Sequence, residues 1–513
     1  MRAVVVAAPA SGSGKTTVAT GLVGALRRVG HRVAPFKVGP DYIDPGYHGL
    51  AAGRPGRNLD PVLVGEERVV PLYRHGARGC DLAVVEGVMG LFDGRIDEHY
   101  SGAVAEGSTA QVAALLGAPV VLVVDARGHS QSLAALLHGF ATFDSGVRLG
   151  GVILNRVGSE RHDQVLRAAC DRVGLPVLGS LPRLAELEVP SRHLGLIPAV
   201  EHGSAATAAV AAMTDLVAAH VDLHAVAALA RSSVAGPAWD PAAAVRGLEG
   251  VEDTAASLGE AGDMAATTFV GGDRDSRVST EPGGISRADE STDGAIVIGG
   301  PADREGPLIA VAGGPAFTFG YAEHRELLTA AGAQVVVFDP LHDELPAGTA
   351  GLVLPGGFPE EHAAELAANS GLLRAVAEAA RHGMPVHAEC AGLLYLTRSL
   401  DGHPMAGVVE ADAAFGPRLT LGYRDAVALA DSPLWRAGER VRGHEFHRTR
   451  VVSAPPRNPA WGWRGSAGER VQEGALSGNV HASYLHTHPA GNPQAVRRFV
   501  TETVRFASSR AVR

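Results

Sequence analysis

Short runs of apolar, mostly β-branched residues alternate with longer helical patterns over about the first 230 residues of the chain. Strands that alternate with helices predict a doubly wound α/β fold around a parallel sheet, in which ligands bind at the carboxyl ends of the strands. The runs that predict buried parallel strands are Ala3–Ala8, Leu82–Val85, Val120–Val124 and Gly151–Leu154.

A second set of strand and helix patterns begins near residue 308 and continues to the C-terminus. Its predicted strands are Leu308–Ala312, Val335–Phe338, Gly351–Leu354 and Pro385–Ala388. Between the two halves the periodicity fades, and Gly, Ser, Asp and Arg dominate, which predicts a flexible linker or a long surface insertion. We therefore expect an N-terminal domain over residues 1–231, a linker over 232–306 and a second α/β domain over 307–513.

Composition limits the classes of function. The chain has 513 residues, 46% hydrophobic and 19% charged, with a net charge of −10, so it is not a disordered protein. The acidic balance argues against general binding to nucleic acid or a membrane surface. Cys80, Cys170 and Cys390 are far apart and form no CxxC motif, which favours a reducing cytoplasm over a disulfide framework.

The sequence PASGSGKTT follows the first predicted strand and opens a helix. Glycines allow backbone N–H groups to turn toward phosphate oxygens, lysine neutralises the β- and γ-phosphates, and the threonine after it can bind Mg²⁺. Pro9 stands where the GxxxxGK[ST] pattern has its first glycine, yet the position between strand and helix favours an ATP site over an ordinary turn. The predicted ATP-binding residues here are Gly12, Ser13, Gly14, Lys15, Thr16 and Thr17.

Two further strand ends carry polar residues that suit such a site. Glu86 closes the strand Leu82–Val85 and is placed to act as a second Mg²⁺ ligand beside Thr16. Asn155 ends the strand Gly151–Leu154 and has an amide suited to adenine. A solvent-facing carboxylate and a turn-capping asparagine are the simpler alternatives.

The segment from Lys37 to Asp60 is too rich in Gly, Pro and charge for a core element, which indicates a functional loop. Its cationic side chains suit a polyanionic substrate, and Asp41 and Asp44 suit a metal ion. A solvated loop with incidental charges would also account for the composition. The cationic candidates are Lys37, His48, Arg54 and Arg57.

In the second half, an apolar strand ends at Cys390, and Ala391 and Gly392 open a helix. A cysteine on such a turn is exposed to substrate and can act as a nucleophile. The pair Gly356 and Gly357 follows another strand, and their N–H groups could form an oxyanion hole. The candidate bases are His481, His486 and His488. A buried structural cysteine is the simpler reading, and a zinc site of these histidines has no acidic or thiolate partner at ligand spacing.

From about Leu308 to the C-terminus the chain resembles the class I glutamine amidotransferases, in which a cysteine attacks glutamine and releases ammonia. Most members complete the triad with a His-x-Glu motif, whereas this chain has Thr487 and Pro489 beside its histidines. It therefore looks like the corrinoid branch, where the histidine of a YLH motif serves. The resemblance implies Cys390 as nucleophile and His486 as its partner, with His488 left open as the alternative base.

The whole chain resembles the hydrogenobyrinic/cobyrinic acid a,c-diamide synthase family of cobalamin biosynthesis. The motifs that carry the likeness are PASGSGKTT, FKVGPDYIDPGYH, GRPGRNLD, VVEGVMGLFDG, HAECAGLLYL and SYLH. The resemblance implies a ligase that uses ATP, Mg²⁺ and glutamine to amidate two acetate carboxylates of a corrinoid polycarboxylic acid through acyl phosphates. It leans toward the metal-free macrocycle over the cobalt-containing one, and a homodimer stays open.

The N-terminal half also looks like dethiobiotin synthetase, a relative that phosphorylates a carboxylate-derived group. Matching positions imply Thr16, Asp41 and Glu86 near Mg²⁺ and Lys37 near the reacting oxygens, with Asp44 in reserve for Asp41. The relative's early lysine in the phosphate loop is Ala10 here. The implied substrate contacts are Lys37, Tyr42, Asp44, His48 and Arg57.

Two other functions compete with this interpretation. One is a related corrinoid amidoligase such as cobyric acid synthase, which amidates other positions. The other is a P-loop switch or partitioning ATPase whose second domain only binds a partner. The segment from Lys37 to Asp60 favours the a,c-diamide enzyme, and Cys390 distinguishes both ligases from the switch.

Overall fold

The computed structural model describes residues 1–96, 102–144, 146–183, 191–192, 195–196, 199–247, 306–452, 458–465 and 467–511. Within these ranges, no helix combines the length and the apolarity that crossing a bilayer requires.

The first domain is built on a parallel sheet with the strand order β3-β2-β4-β1-β5-β6-β7. Its strands are β1 (Arg2–Ala7), β2 (Val33–Val38), β3 (Arg57–Leu59), β4 (Leu82–Glu86), β5 (Val120–Asp125), β6 (Leu149–Val157) and β7 (Val177–Pro182). Successive residues of β1 face opposite sides of the sheet: Val4 and Val6 join one hydrophobic core, and Val5 and Ala7 join the other. Both faces are therefore covered, which confirms the predicted doubly wound sheet.

Helices cover this sheet and extend beyond its last strand. They are α1 (Lys15–Arg28), α2 (Asp44–Ala52), α3 (Pro61–Val64), α4 (Glu66–Gly76), α5 (Thr109–Leu116), α6 (Leu133–Thr142), α7 (Glu160–Val173), α8 (Ala199–His202), α9 (Ser204–His220), α10 (Leu223–Leu229) and α11 (Pro241–Arg246). The short strands β8 (Ser191–Arg192) and β9 (Gly195–Leu196) form an antiparallel pair of their own.

The strand order determines which loops meet. Strand β4 lies between β1 and β2, and the three run parallel. Their carboxyl ends therefore bring together the loop after β1, Glu86 at the end of β4, and Lys37 near the end of β2, which is paired with Glu86 in the register.

The second domain contains a sheet with the order β11-β10-β12-β13-β21-β20, in which all neighbours are parallel except β20 and β21. A second sheet, ordered β15-β14-β16-β17-β22, is dominated by the long antiparallel pair β16 and β17, with β18 beside β16 and β19 beside β18. The strands are β10 (Leu308–Ala312), β11 (Gln334–Phe338), β12 (Thr349–Leu354), β13 (Val386–Glu389), β14 (Ser399–Leu400), β15 (His403–Pro404), β16 (Asp412–Ala428), β17 (Arg440–Val452), β18 (Trp461–Arg464), β19 (Arg470–Glu473), β20 (Ala475–Ser477), β21 (Val480–Ser483) and β22 (His486–Thr487).

The helices of this domain are α12 (Ala322–Ala330), α13 (Ala363–Ala368), α14 (Ser370–Arg381), α15 (Ala391–Leu396) and α16 (Pro493–Ala511), with 3₁₀ turns at Pro359–His362 and Pro489–Gly491. The predicted strands that end at Leu354 and near Cys390 correspond to β12 and β13. The elements that carry the glycine pair and the cysteine are thus neighbours in the sheet.

The beginning of the predicted linker packs against the folded domains. Arg231, the last residue before the predicted linker, pairs with Ala3 beside β1, and within the linker the buried Trp239 donates its backbone N–H to the carbonyl of Pro71 (2.9 Å). Helix α11 contacts α12 and α16 of the second domain. Residues 248–305 lie outside the described residues, and the predicted domain boundaries stay predictions.

Candidate active site

The segment predicted to bind phosphate forms the turn between β1 and α1. Gly12 and Gly14 have φ angles of +79° and +95°, which L side chains rarely adopt. A Cβ on Gly14 would lie 2.2 Å from Nδ2 of Asn155, so only glycine fits there. The Ser13 hydroxyl donates to the carbonyl of Ala10 (2.9 Å). The turn leads into the N-terminus of α1, where free N–H groups and the positive end of the helix dipole favour an anion.

Lys15, Thr17 and Asn155 hold different positions around this turn. The Lys15 ammonium donates to the carbonyl of Met89 (2.5 Å), and burial lowers its pKa. Asn155 is buried and donates from Nδ2 to the carbonyl of Ser13 (2.9 Å), so its amide supports the loop from β6. Its contact with adenine stays a prediction. Thr17 is half-buried in the first turn of α1.

A buried polar cluster lies beside the loop and contains four of the other predicted residues together with Thr16. The Thr16 hydroxyl is 2.7 Å from Oε1 of Glu86 and 3.2 Å from Oδ2 of Asp44. The Lys37 ammonium is 2.6 Å from Asp44 and 3.0 Å from Glu86. His48 Nε2 lies 2.8 Å from the second oxygen of Glu86. The structure thus brings Thr16, Lys37, Asp44, His48 and Glu86 into one network.

The charges in this cluster support one another. Burial alone would raise the pKa of the Glu86 carboxyl, but Lys37 and His48 lower it below its ordinary value. Burial would likewise lower the pKa of Lys37, and Asp44 and Glu86 raise it. Burial and nearby Asp41 raise the pKa of Asp44. Lys37 therefore stays cationic and Glu86 anionic inside a region that excludes water, where charges interact strongly.

Asp41 occupies a different position from Asp44. Its Oδ1 accepts the backbone N–H groups of Ile43 (2.8 Å) and Asp44 (2.9 Å), which stabilises the turn that opens α2. Of the two aspartates weighed as metal ligands, Asp44 is the one that lies against Thr16. Asp41 lies three residues before Asp44, which opens α2, and an aspartate at that position typically accepts N–H groups of the turn. The spacing therefore favours Asp41 as the residue that stabilises the turn and leaves Asp44 free to contact Thr16.

Arg57 reaches the second domain. Its guanidinium lies 2.6 Å from Oε1 of Glu323 and also pairs with Glu326 in α12. Glu326 additionally contacts His75 Nε2 (2.9 Å). A substrate carboxylate would have to displace these glutamates to bind Arg57. Arg54, the remaining cation of the segment, donates to the backbone carbonyl of Gly76 (2.8 Å).

Tyr42 also points into the second domain. Its ring is stacked on Phe319 at 4.9 Å between centroids, with 13° between the planes. The rings of Tyr321 and His486 each lie 5.0 Å from it. The structure places this ring at the interface between the two candidate centres. The predicted contact of Tyr42 with substrate stays a prediction.

Cys390 lies between β13 and α15 with a φ of +48°, a strained conformation for a residue other than glycine. Its backbone N–H donates to the carbonyl of Ser483 (2.7 Å) in the neighbouring β21. The predicted exposure of this cysteine is wrong in this structure, because Cys390 is buried between the strand and the helix. Burial and the carboxylate of Glu360 raise the pKa of the Cys390 thiol, whereas N–H groups of Ala391 and Gly357 lower it. Of the predicted oxyanion pair, Gly357 is therefore the member whose N–H group faces the thiol.

His486 packs against the same glycine pair, at Gly356. A Cβ on Gly356 would be 2.3 Å from Cε1 of His486, so glycine is required for the histidine to approach. With Gly357 beside the Cys390 sulfur, the two glycines bring the cysteine and the histidine to one point. The structure therefore places together Cys390, His486, Gly356 and Gly357, which lie far apart in the sequence.

Glu389 also belongs to this centre, although no predicted site residue included it. Its Oε2 lies 3.5 Å from Nδ1 of His486, and its Oε1 lies 3.3 Å from Nε2 of His387. The backbone N–H and the hydroxyl of Thr487 both donate to Oε1 (3.2 Å each). Burial alone would raise the pKa of the Glu389 carboxyl, but His387 and His486 hold it well below its usual range.

A signal for Glu389 was present in the sequence. The triad glutamate is missing from its usual place after the histidine, and an acidic residue directly precedes Cys390 at the carboxyl end of a strand. Parallel neighbours end at the same edge of the sheet, so that acid had to lie near the histidine after β21.

The other two candidate histidines have different surroundings. The ring of His488 lies 4.1 Å from that of Tyr321, tilted by 37°, and its Nδ1 accepts the N–H of Ala490 (3.2 Å). Burial lowers the pKa of His488 to about 4 and that of His481 to about 3. In the part of the chain that the structure describes, no group of three or more His, Cys, Asp or Glu side chains is arranged to hold a metal ion, a zinc site of these histidines included.

A cavity of about 1040 Å³ opens beside α15. Its lining includes Leu393, one turn after Cys390, together with Arg448, Glu473 and Tyr484. Glu473 Oε1 accepts the N–H of Tyr484 (2.7 Å). A cavity of this size can admit a small molecule.

Comparison with known families divides the chain into the same two halves. Residues 4–197 match the CobQ/CobB/MinD/ParA nucleotide binding domain, and residues 308–494 match the CobB/CobQ-like glutamine amidotransferase domain. The predicted fold class, a P-loop domain followed by an amidotransferase-like domain, is confirmed.

Similar proteins cover nearly the whole chain. A hydrogenobyrinate a,c-diamide synthase of Mycobacterium bovis is 58% identical over 498 residues, which is 97% of this chain and 97% of that protein. One from Streptomyces coelicolor is 56% identical over 97% of this chain and 96% of its own length. A cobyrinate a,c-diamide synthase of Gloeobacter violaceus is 40% identical over 98% of both chains.

Proposed function

Because the chain belongs to the hydrogenobyrinate a,c-diamide synthase family, we propose that it amidates the a- and c-acetate carboxylates of hydrogenobyrinic acid, with ATP and glutamine as co-substrates. It is a carbon–nitrogen ligase with a glutamine amidotransferase domain. The observation that carries the proposal is that one chain holds a phosphate loop with a buried cation–carboxylate cluster and a cysteine elbow with its histidine, and that these two centres meet at Tyr42.

In the N-terminal centre, a substrate carboxylate oxygen attacks the γ-phosphorus of ATP, and ADP leaves. Ammonia then adds to the acyl carbon, loses a proton, and inorganic phosphate departs. The loop N–H groups of Gly12, Ser13 and Gly14 and the Lys15 ammonium hold the phosphates. Lys37, kept cationic by Asp44 and Glu86, supplies positive charge where the carboxylate and phosphoryl oxygens approach.

The residues at this centre fit Mg²⁺. The ion prefers oxygen ligands, keeps several waters and is usually held by one or two carboxylates together with substrate phosphates. Thr16, Glu86 and Asp44 bring a hydroxyl and two carboxylates into contact, so we propose that they hold it. When bound, Mg²⁺ neutralises charge on the triphosphate. Asp41 is the alternative ligand, although its Oδ1 already accepts two backbone N–H groups.

The substrate is a polyanion, and the cations of the segment 37–57 are the proposed contacts for its carboxylates. Lys37 and His48 lie at the cluster itself, and His48 contacts Glu86. Asp44 contributes by holding Lys37 in place. Arg57 can join them only when Glu323 and Glu326 release it.

In the second centre, the Cys390 sulfur adds to the amide carbon of glutamine, and His486 takes the thiol proton and passes it to the departing nitrogen. Ammonia leaves, and water then hydrolyses the glutamyl thioester to glutamate. The N–H groups of Gly357 and Ala391, which both act on the Cys390 thiol, are the proposed donors to the developing oxyanion, together with the predicted donor Gly356.

We assign the base to His486 and its positioning to Glu389. The ring of His486 lies against Gly356, and its Nδ1 faces a carboxylate at 3.5 Å, which favours the imidazolium that forms during proton transfer. His488 instead uses its Nδ1 to accept the N–H of Ala490. Glu389 thus takes the place of the glutamate that other class I amidotransferases carry two residues after their histidine.

The metal-free macrocycle is the proposed substrate. The relatives at 56–58% identity are named for hydrogenobyrinate, whereas one at 40% is named for cobyrinate. Glutamine and this macrocycle are the proposed small-molecule partners. The three cysteines are free, in agreement with the reducing cytoplasm that we propose as the compartment. A homodimer stays a prediction.

Substituting Cys390 separates the two centres. Cys390→Ala should abolish glutamine-driven amidation and leave ammonia-driven amidation intact, because the N-terminal centre does not need the thiol. Cys170→Ala, which removes a buried thiol in α7, is the matched control and should retain both activities. Each variant is incubated with ATP, Mg²⁺, hydrogenobyrinic or cobyrinic acid, and glutamine or an ammonium salt, and amides are counted by mass spectrometry. Undiminished glutamine use by Cys390→Ala would refute the assignment.

A further inference from the structure

We propose that Tyr42 is a positioning residue that makes glutamine hydrolysis at Cys390 depend on occupancy of the N-terminal centre. The proposal rests on the proposed function and adds to it a link between the two reactions. Such a link matters chemically, since ammonia released before a carboxylate has been phosphorylated is lost.

On the amidotransferase side, Tyr42 contacts two parts of the machinery. Its ring lies 5.0 Å from the ring of His486, the proposed base. It is also stacked on Phe319, whose backbone N–H donates to the carbonyl of Gly356 (2.9 Å). A Cβ on Gly356 would lie 3.1 Å from Cβ of Phe319, so the glycine backbone is packed tightly against this residue. A shift of the Tyr42 ring would therefore displace both the His486 ring and the backbone at Gly356.

On the synthetase side, Tyr42 belongs to the turn that carries Asp44. The start of this turn is fixed by Asn58, whose Nδ2 donates to the carbonyls of Gly39 and Asp41 (2.7 Å each). Its end is held by Asp44, which contacts Lys37 and Thr16. A nucleotide or a substrate carboxylate that binds Thr16 and Lys37 competes for these contacts of Asp44, two residues away from Tyr42.

The packing allows this change to be transmitted. The Tyr42 ring is surrounded by Phe319, Tyr321 and His486, and Phe319 is itself packed edge-on against Phe358 (5.0 Å). Side chains in such close contact cannot absorb a displacement without moving their neighbours. Occupancy of the N-terminal centre and the position of the His486 ring are thereby coupled through one residue.

The experiment measures glutamate formation with and without ATP, Mg²⁺ and hydrogenobyrinic acid in the full-length chain. Couplings between sites are typically about 5- to 150-fold, and stimulation of this size is expected for the unsubstituted protein. Tyr42→Phe keeps the ring and should keep the stimulation. Tyr42→Leu should reduce it to less than about twofold, and glutamate formed per amide should rise above one. Because Tyr42 is also a predicted substrate contact, ammonia-driven amidation is measured in each variant at saturating hydrogenobyrinic acid, and the stimulation is expressed relative to that rate.

The control is Glu106→Gln, which removes a carboxylate that contacts Arg442 of the second domain (2.7 Å). It should keep the stimulation. Undiminished stimulation in Tyr42→Leu, or an equal loss in Glu106→Gln or Tyr42→Phe, would overturn the proposal. So would loss of ammonia-driven amidation in Tyr42→Leu, because Tyr42 would then serve the synthetase centre itself. Absence of any glutamate formation by the unsubstituted protein would instead refute the glutamine half of the proposed function.

Discussion

Replacing Glu389 by glutamine tests whether its carboxylate positions and charges His486. The substitution keeps the size and hydrogen-bonding capacity of the side chain, so Thr487 can still donate to it. What is lost is the negative charge 3.5 Å from Nδ1 of His486. We expect glutamine hydrolysis to slow while ammonia-driven amidation is unchanged.

The size of the effect follows from the distance. Two unit charges 3.5 Å apart at an effective dielectric of about 20 interact by about 5 kcal/mol. Each 1.36 kcal/mol of lost transition-state stabilisation slows a reaction about tenfold, so this interaction sets a ceiling of about 5 × 10³-fold. His387 and Thr487 remain as partners of the side chain, and we therefore expect a loss of about 10- to 10³-fold in kcat/KM for glutamine.

The assay compares glutamate release by Glu389→Gln, Glu389→Asp and the control Glu473→Gln. Glu473 is a second acid of this domain, which binds Ser483 (2.6 Å) and the N–H of Tyr484 rather than His486. Glu389→Asp should recover part of the rate, because it restores the charge at a greater distance. A kcat/KM for Glu389→Gln within twofold of the unsubstituted protein, or an equal loss in Glu473→Gln, would refute the role given to Glu389.

Two further predictions concern the second centre and the domain interface. Burial and ionised Glu360 raise the pKa of the Cys390 thiol, and burial raises the pKa of Glu360 itself to about 7. Glu360→Gln should therefore speed alkylation of Cys390 by iodoacetamide above pH 7. Below pH 7 the rate should be unchanged, because Glu360 is already protonated there. Equal rates at pH 8 would contradict this. Arg57→Met leaves the buried Glu323 without its partner and should lower the free energy of unfolding, measured by urea titration, by about 3–5 kcal/mol. Adding Glu323→Gln should restore part of this loss. A double variant that is no more stable than Arg57→Met would count against the ion pair of Arg57 and Glu323.

Local patterns in the sequence were enough to predict the frame of both centres. Strand β1 followed by glycines and Lys15 indicates a phosphate loop, and β13 followed by Cys390 indicates an elbow, because each signal lies within about ten consecutive residues. The parallel sheets then place these loops at the strand ends, as the structure shows.

The contacts between distant segments were not predictable in this way. The ring of Tyr42 meets Phe319 and His486, which lie 277 and 444 positions later in the chain, and no periodicity reports such a contact. The choice between Asp41 and Asp44 depends on which carboxylate the local turn consumes. The packing of Trp239 within the predicted linker likewise depends on a partner, Pro71, from another element.

The most direct test of the account measures nucleotide consumption against bond formation. Purified protein is supplied with ATP, Mg²⁺, glutamine and hydrogenobyrinic acid, and samples quenched over time are analysed for ADP, glutamate and the number of amides on each macrocycle. We predict that the product gains two amides and that ADP, glutamate and new amide bonds accumulate in equal amounts. Amide formation without a matching amount of ADP would contradict activation of the carboxylate by phosphoryl transfer.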